Sequence, residues 1–188
     1  MKQTILNIIQ THRTLLHDFE TYGVEVIEHM AALLCDCVRN NGCVYLCGNG
    51  GSAADAQHIA GEFVGRFEKD RRAFAAVALS TDTSVITAVA NDYAYEDIFS
   101  RQMEALAHKG DLLWAFSTSG ASKNVLKAVQ VAKDRGIPII SFTGRKASPL
   151  EAISDCCLCV AHSSSARSQE IHQLAYHILC ALVEQDCS

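Results

Sequence analysis

Hydrophobic positions along the chain follow two rhythms. Over residues 3–20 and 24–41 they recur at helical spacing: Ile5, Ile8, Ile9, Leu15, Leu16 and Phe19, then Val26, Ile27, Met30, Leu33, Leu34 and Val38. This pattern predicts two amphipathic helices, and Asn40-Asn41-Gly42 supplies a stop signal for the second. The rhythm then changes. Short apolar runs appear at 44–47, 75–79, 112–116, 137–142 and 157–160, each followed by Gly, Ser or Thr and then by a helical stretch. Unbroken apolar strands alternating with helices predict an α/β fold: a three-layer αβα sandwich around a five-stranded parallel sheet. At 188 residues the chain suits one domain over 1–188, with no long linker, internal repeat or low-complexity tract.

In open parallel sheets, ligands collect at the carboxyl ends of the strands. Two loops there carry chemistry. Gly48-Asn49-Gly50-Gly51-Ser52 leaves the first strand, and Ser117-Thr118-Ser119-Gly120-Ala121-Ser122 leaves the third and leads into a helix over 124–135. Helix N-termini expose unpaired N–H groups and so bind anions, glycines admit a close ligand, and hydroxyls add neutral donors. One such loop alone reads as helix capping. Two on one sheet edge, the second with four hydroxyls in six residues, favour a phosphate or sugar phosphate. The first loop is not a dinucleotide fingerprint, because Ala53 stands where the third glycine belongs.

Two polar pairs interrupt otherwise apolar helical patterns. His58 and Glu62 stand four apart on the helix that leaves the first loop, and Gln169 and His177 stand eight apart on the last helix. Residues four apart share a helix face, and residues eight apart are offset by about 80° at ~100° per residue. If the two faces meet, they offer two imidazoles, a carboxylate and an amide oxygen, a donor set for a divalent metal and for acid–base work. A solvated surface pair is the plain alternative. His172 points away from the Gln169–Gln173–His177 face and reads as structural, while Ile171, Leu174, Ala175, Ile178, Leu179 and Leu182 make the packing face.

Composition narrows the field. The net charge of -5 argues against a nucleic-acid surface. The nearest approach to a basic cluster, Lys69, Arg71 and Arg72, is interleaved with acids and reads as a solvated turn. The nine cysteines sit mostly in apolar runs, which reads as small buried thiols in a reducing cytoplasm. No run approaches the ~20 apolar residues of a membrane span, and the start is not of signal-peptide type.

The stretches 47–52, 58–67, 90–92, 117–122 and 169–177 together resemble the phosphoheptose isomerases of the sugar-isomerase (SIS) domain family, in order and over nearly the whole chain. The resemblance implies a flavodoxin-like sandwich, a homotetramer assembled largely through helices with residues 1–41 contributing, and one zinc per subunit. It implies isomerisation of sedoheptulose 7-phosphate to D-glycero-D-manno-heptose 7-phosphate through an enediol, for heptose in bacterial surface polysaccharide. By matching position, His58, Glu62, Gln169 and His177 would be zinc ligands, with Glu62 also the base and His177 the acid. Ser52, Ser117, Thr118, Ser119 and Ser122 would hold phosphate and sugar hydroxyls. Asn49, Gly50, Gly51, Asn91 and Asp92 would complete the pocket, with Glu62 and Gln169 also touching substrate. A Glu that ligates a cation is a weaker base, so its two roles pull against each other. The loop 162–167 carries Ala166 where some members have an aspartate, which leaves its part in substrate contact open.

A rival reading comes from another class: a non-catalytic tetrameric SIS protein that binds a replication initiator. It shares the Ser165-Ala-Arg-x-Gln-Glu170 segment but lacks the Glu and final His that stand here as Glu62 and His177. A sugar-phosphate-sensing module is a third, but such modules accompany a DNA-binding domain for which this chain has no room.

Overall fold

The computed structural model describes residues 1–188. Helix α1 (Lys2–Tyr22) and helix α2 (Val24–Arg39) form an N-terminal pair joined at Gly23. A Cβ at Gly23 would meet the Phe19 ring at 2.4 Å, so the tight joint requires glycine. Asn41, at φ 57, adopts the left-handed conformation that ends α2. Then strands and helices alternate: β1 (Val44–Cys47), α3 (Gly51–Val64), β2 (Ala76–Ala78), α4 (Thr83–Asp92), a short turn (Tyr95–Asp97), α5 (Ser100–Leu106), β3 (Leu112–Ser117), α6 (Lys123–Asp134), β4 (Ile139–Thr143), α7 (Pro149–Ile153), β5 (Cys156–Cys159) and α8 (Ser165–Cys187).

All five expected strands form, every neighbouring pair is parallel, and the sheet order is β2-β1-β3-β4-β5. Side chains alternate across it. Val44, Leu46, Leu112, Trp114, Phe116, Ile140 and Phe142 face the core shared with α2, α3 and α8. Tyr45, Cys47, Leu113, Ala115 and Ile139 face the core shared with α5, α6 and α7. Burial on both sides is what unbroken apolar runs provide. It holds for β1, β3 and β4 and fades at the edges, where Val77 is exposed and β5 is half-buried. β4 starts two residues later than the apolar run because Ile137 donates its N–H to Ala132 at the end of α6, and Pro138 has none to give.

Three sequence expectations change. Arg71 does not lie in a solvated turn. Its side chain is buried against the Phe74 ring and paired with Glu184 at 3.3 Å, while Lys69 and Arg72 are exposed as expected. Leu174 is exposed, and Tyr176 takes a place in the α8 packing face instead. All nine cysteines are free, but only Cys35, Cys37, Cys47 and Cys180 are fully buried. No helix is long and apolar enough to cross a membrane.

Candidate active site

Strands β1 and β3 are neighbours in register, with Cys47 opposite Ala115, so the loops that follow them emerge side by side. They are tied together. Asn49 donates to Asn124 Oδ1 at 2.9 Å and accepts from Asn124 Nδ2 at 2.8 Å, and Tyr95 donates to Asn49 Oδ1 at 3.1 Å. In the serine loop, Ser117 Oγ lies 3.2 Å from Ser119 Oγ and 2.9 Å from Ser122 Oγ. Gly50 (φ 55) and Gly120 (φ 64) turn both loops through left-handed backbone. A Cβ at Gly120 would also meet Ser148 at 2.2 Å.

Helix α8 approaches the same edge. Gln169 Nε2 donates to Ser52 Oγ at 3.4 Å, and a Cβ at Gly51 would come within 2.6 Å of that amide. Gly51 is therefore the space that lets Gln169 reach the loop. Thr118 and Ser165 share a hydroxyl contact at 3.0 Å, which joins the 162–167 segment to the serine loop. Asn91 and Asp92 bond to each other at the exposed end of α4, and neither side chain hydrogen-bonds to the glycine or serine loop.

About two turns further along both helices, the polar pairs meet. The His58 and Glu62 side chains lie 3.0 Å apart, the His58 and His177 ring centroids 5.0 Å apart, and ligand atoms of His58, Glu62 and His177 all fall within 4.8 Å of one another. Two imidazoles and a carboxylate at that spacing are the donor chemistry of zinc, so three of the four expected ligands fit that ion as a group. The fourth, Gln169, is engaged with the glycine loop. His172, as expected, stays outside: it is fully buried, and Nε2 donates to the Thr143 carbonyl at 3.2 Å.

Four further residues shape the cluster, and spacing gave no sign of them. Tyr176 O–H bonds His58 Nδ1 at 3.0 Å. With Glu62 ionised, His58 donates to it from Nε2, which leaves Nδ1 to accept from the phenol. Phe67 stacks on His177 with centroids 5.7 Å apart. Asn124 braces the glycine loop, as above. Asp55, one turn before His58, has a buried Oδ2 with no partner, and burial lifts its carboxyl to about 6 against the opposing pull of His58. Burial, then the nearby His58, lowers the pKa of His177, with Glu62 pulling the other way. A neutral imidazole beside a carboxylate can relay a proton. A helix-face pattern finds neighbours at i and i+4; it cannot find a tyrosine that crosses between helices.

The arrangement sets an edge suited to anions beside a cluster with the chemistry of acid–base work and of a metal site. The SIS-domain family model matches residues 9–144. The phosphoheptose isomerase of Thiobacillus denitrificans is 52% identical over 161 residues, covering 84% of this chain and 82% of its own. That of Helicobacter hepaticus is 47% identical over 161 residues, covering 86% and 82%. The solved phosphoheptose isomerase of Neisseria gonorrhoeae superposes with a TM-score of 0.92 at 39% identity, over 98% of both chains. The chain belongs to the phosphoheptose isomerase family of SIS-domain proteins.

Proposed function

We propose that the chain converts sedoheptulose 7-phosphate to D-glycero-D-manno-heptose 7-phosphate, supplying heptose for a bacterial surface polysaccharide. The observation that carries this reading is the convergence of His58, Glu62 and His177 near the glycine and serine loops, in a chain whose relatives bear the isomerase name. The serine loop and Ser52 hold the phosphate and sugar hydroxyls, with Asn49, Gly50, Gly51 and Gln169 lining the approach. Glu62 takes the proton from C1 as the C2 carbonyl oxygen gains one from solvent, giving the enediol. His177 then returns a proton to C2 as O1 loses its proton to solvent, which leaves the aldehyde, and exchange with solvent resets both side chains. His58, Glu62, Gln169 and His177 would hold one zinc per subunit, which when bound supplies Lewis-acid stabilisation to the charge developing on the sugar oxygens.

The cluster is open on one side: the His58 side chain is 41% exposed. A homotetramer, in which a neighbouring subunit brings Asn91 and Asp92 to this opening, completes the pocket. Ile5, Leu6, Ile8 and Ile9 on α1 are 44–57% exposed, an apolar surface suited to that assembly. A single domain working in the cytoplasm is the setting we infer. The scaffold alternative is not favoured, because both acid–base residues are present and adjacent. The test is incubation with sedoheptulose 7-phosphate and zinc, followed by nuclear magnetic resonance of the sugar phosphates. Appearance of the aldose supports the reading. An unchanged ketose, together with tight binding to a replication initiator, would replace it with the scaffold.

A further inference from the structure

The seam between α2 and the end of α8 holds a second cluster of metal-ligating groups. Cys35 sits on α2, and Asp186 and Cys187 end α8. The Cys187 thiol contacts the Cys35 carbonyl oxygen at 3.9 Å, and the ligand atoms of Cys35, Asp186 and Cys187 all lie within 4.8 Å of one another. Arg39 pairs with Asp186 through Oδ2. A crevice of about 420 Å³ opens here, with Cys35, Asp36, Arg39, Gln185 and Asp186 along its wall.

We infer that Cys35, Asp186 and Cys187 form a second metal site, which takes a soft divalent cation such as Zn²⁺ or Cd²⁺ and leaves one coordination position to solvent from the crevice. Two sulfurs and one carboxylate select this class of ion over Mg²⁺ or Ca²⁺, which take oxygen. Thiol ligands bind as thiolates, so binding releases protons and strengthens with pH. The site is distinct from the acid–base cluster: ten residues of helix separate Cys187 from His177, roughly 15 Å at 1.5 Å per residue. A bound ion ties the last turn of α8 to α2.

Cobalt distinguishes the two sites, because only this one offers sulfur. The full-length protein, kept reduced and stripped of metal, is titrated with Co²⁺, and zinc stoichiometry is measured by equilibrium dialysis. The expected result is a sulfur-to-cobalt charge-transfer band, lost in Cys35→Ser and in Cys187→Ser together with one equivalent of zinc per chain. Cys187 lies in the last turn of α8, away from the acid–base cluster, and Cys187→Ser changes one atom, so turnover is expected to stay unchanged. Absence of the band in the unaltered protein, or its survival in both variants, would overturn the site. Neither outcome depends on whether the His58 cluster binds metal or catalyses isomerisation.

Discussion

At the scale of single residues, the site depends on groups that spacing alone does not find. His58, Glu62 and His177 were readable because an apolar helical pattern makes each polar exception conspicuous. Tyr176 was not, since a tyrosine in that pattern reads as core. Its hydrogen bond to His58 Nδ1 sets the ring's orientation, and such supporting bonds are typically worth 10–100-fold in metal affinity. Tyr176→Phe is therefore expected to weaken zinc binding by about 10-fold in a competition titration. Unchanged affinity would remove its positioning role. His172 makes the second prediction. Burial holds its pKa at about 4, partly opposed by the bond to Thr143, so the folded protein keeps it neutral while the unfolded chain protonates it near 6.5. A lowered pKa means stability that is complete above 6.5 and lost as pH falls from 6.5 through 4, roughly 3 kcal/mol in all. Thermal unfolding across that range should show the loss, and His172→Asn should flatten it. Equal slopes in the two proteins would assign the acid sensitivity elsewhere.

At the scale of elements, α3 and α8 are locked together by an ion pair that sequence reading placed in solvent. Glu184 accepts from the backbone N–H groups of Phe67, Glu68 and Lys69 at 2.8–3.0 Å and pairs with Arg71. Arg71 in turn donates to the carbonyls of Glu62 and Phe63 at the end of α3. Burial alone would raise the Glu184 pKa, yet the three N–H groups and Arg71 hold it below the usual carboxylate range. This network presents Phe67 to the His177 ring, so it couples the packing of two helices to the acid–base cluster. Alternating charges within 68–72 resemble a solvated turn because the partner lies more than a hundred residues away. Glu184→Ala leaves the buried guanidinium uncompensated and should cost about 3 kcal/mol or more, measurable by denaturant unfolding. A change under 1 kcal/mol would show the pair to be incidental.

At the scale of the whole molecule, the strand and helix order was readable from periodicity, because a doubly covered parallel sheet leaves continuous apolar runs. Strand ends shifted by a residue or two where edge pairing and the α6 terminus decided them. What one chain's pattern could not show is how exposed faces are covered. The apolar surface of α1 supports the proposed tetramer. Ile5→Glu with Ile9→Glu is expected to dissociate it to smaller species in light scattering and to reduce turnover in proportion; an unaffected assembly would place the interface elsewhere. The account as a whole rests on proton transfer by Glu62 and His177, and isomerisation in D₂O tests that most directly. With sedoheptulose 7-phosphate and zinc, the protein should form the aldose with deuterium at C2, while Glu62→Gln should form none and keep the same oligomeric state. Product free of deuterium, or near-normal turnover by Glu62→Gln, would contradict the mechanism.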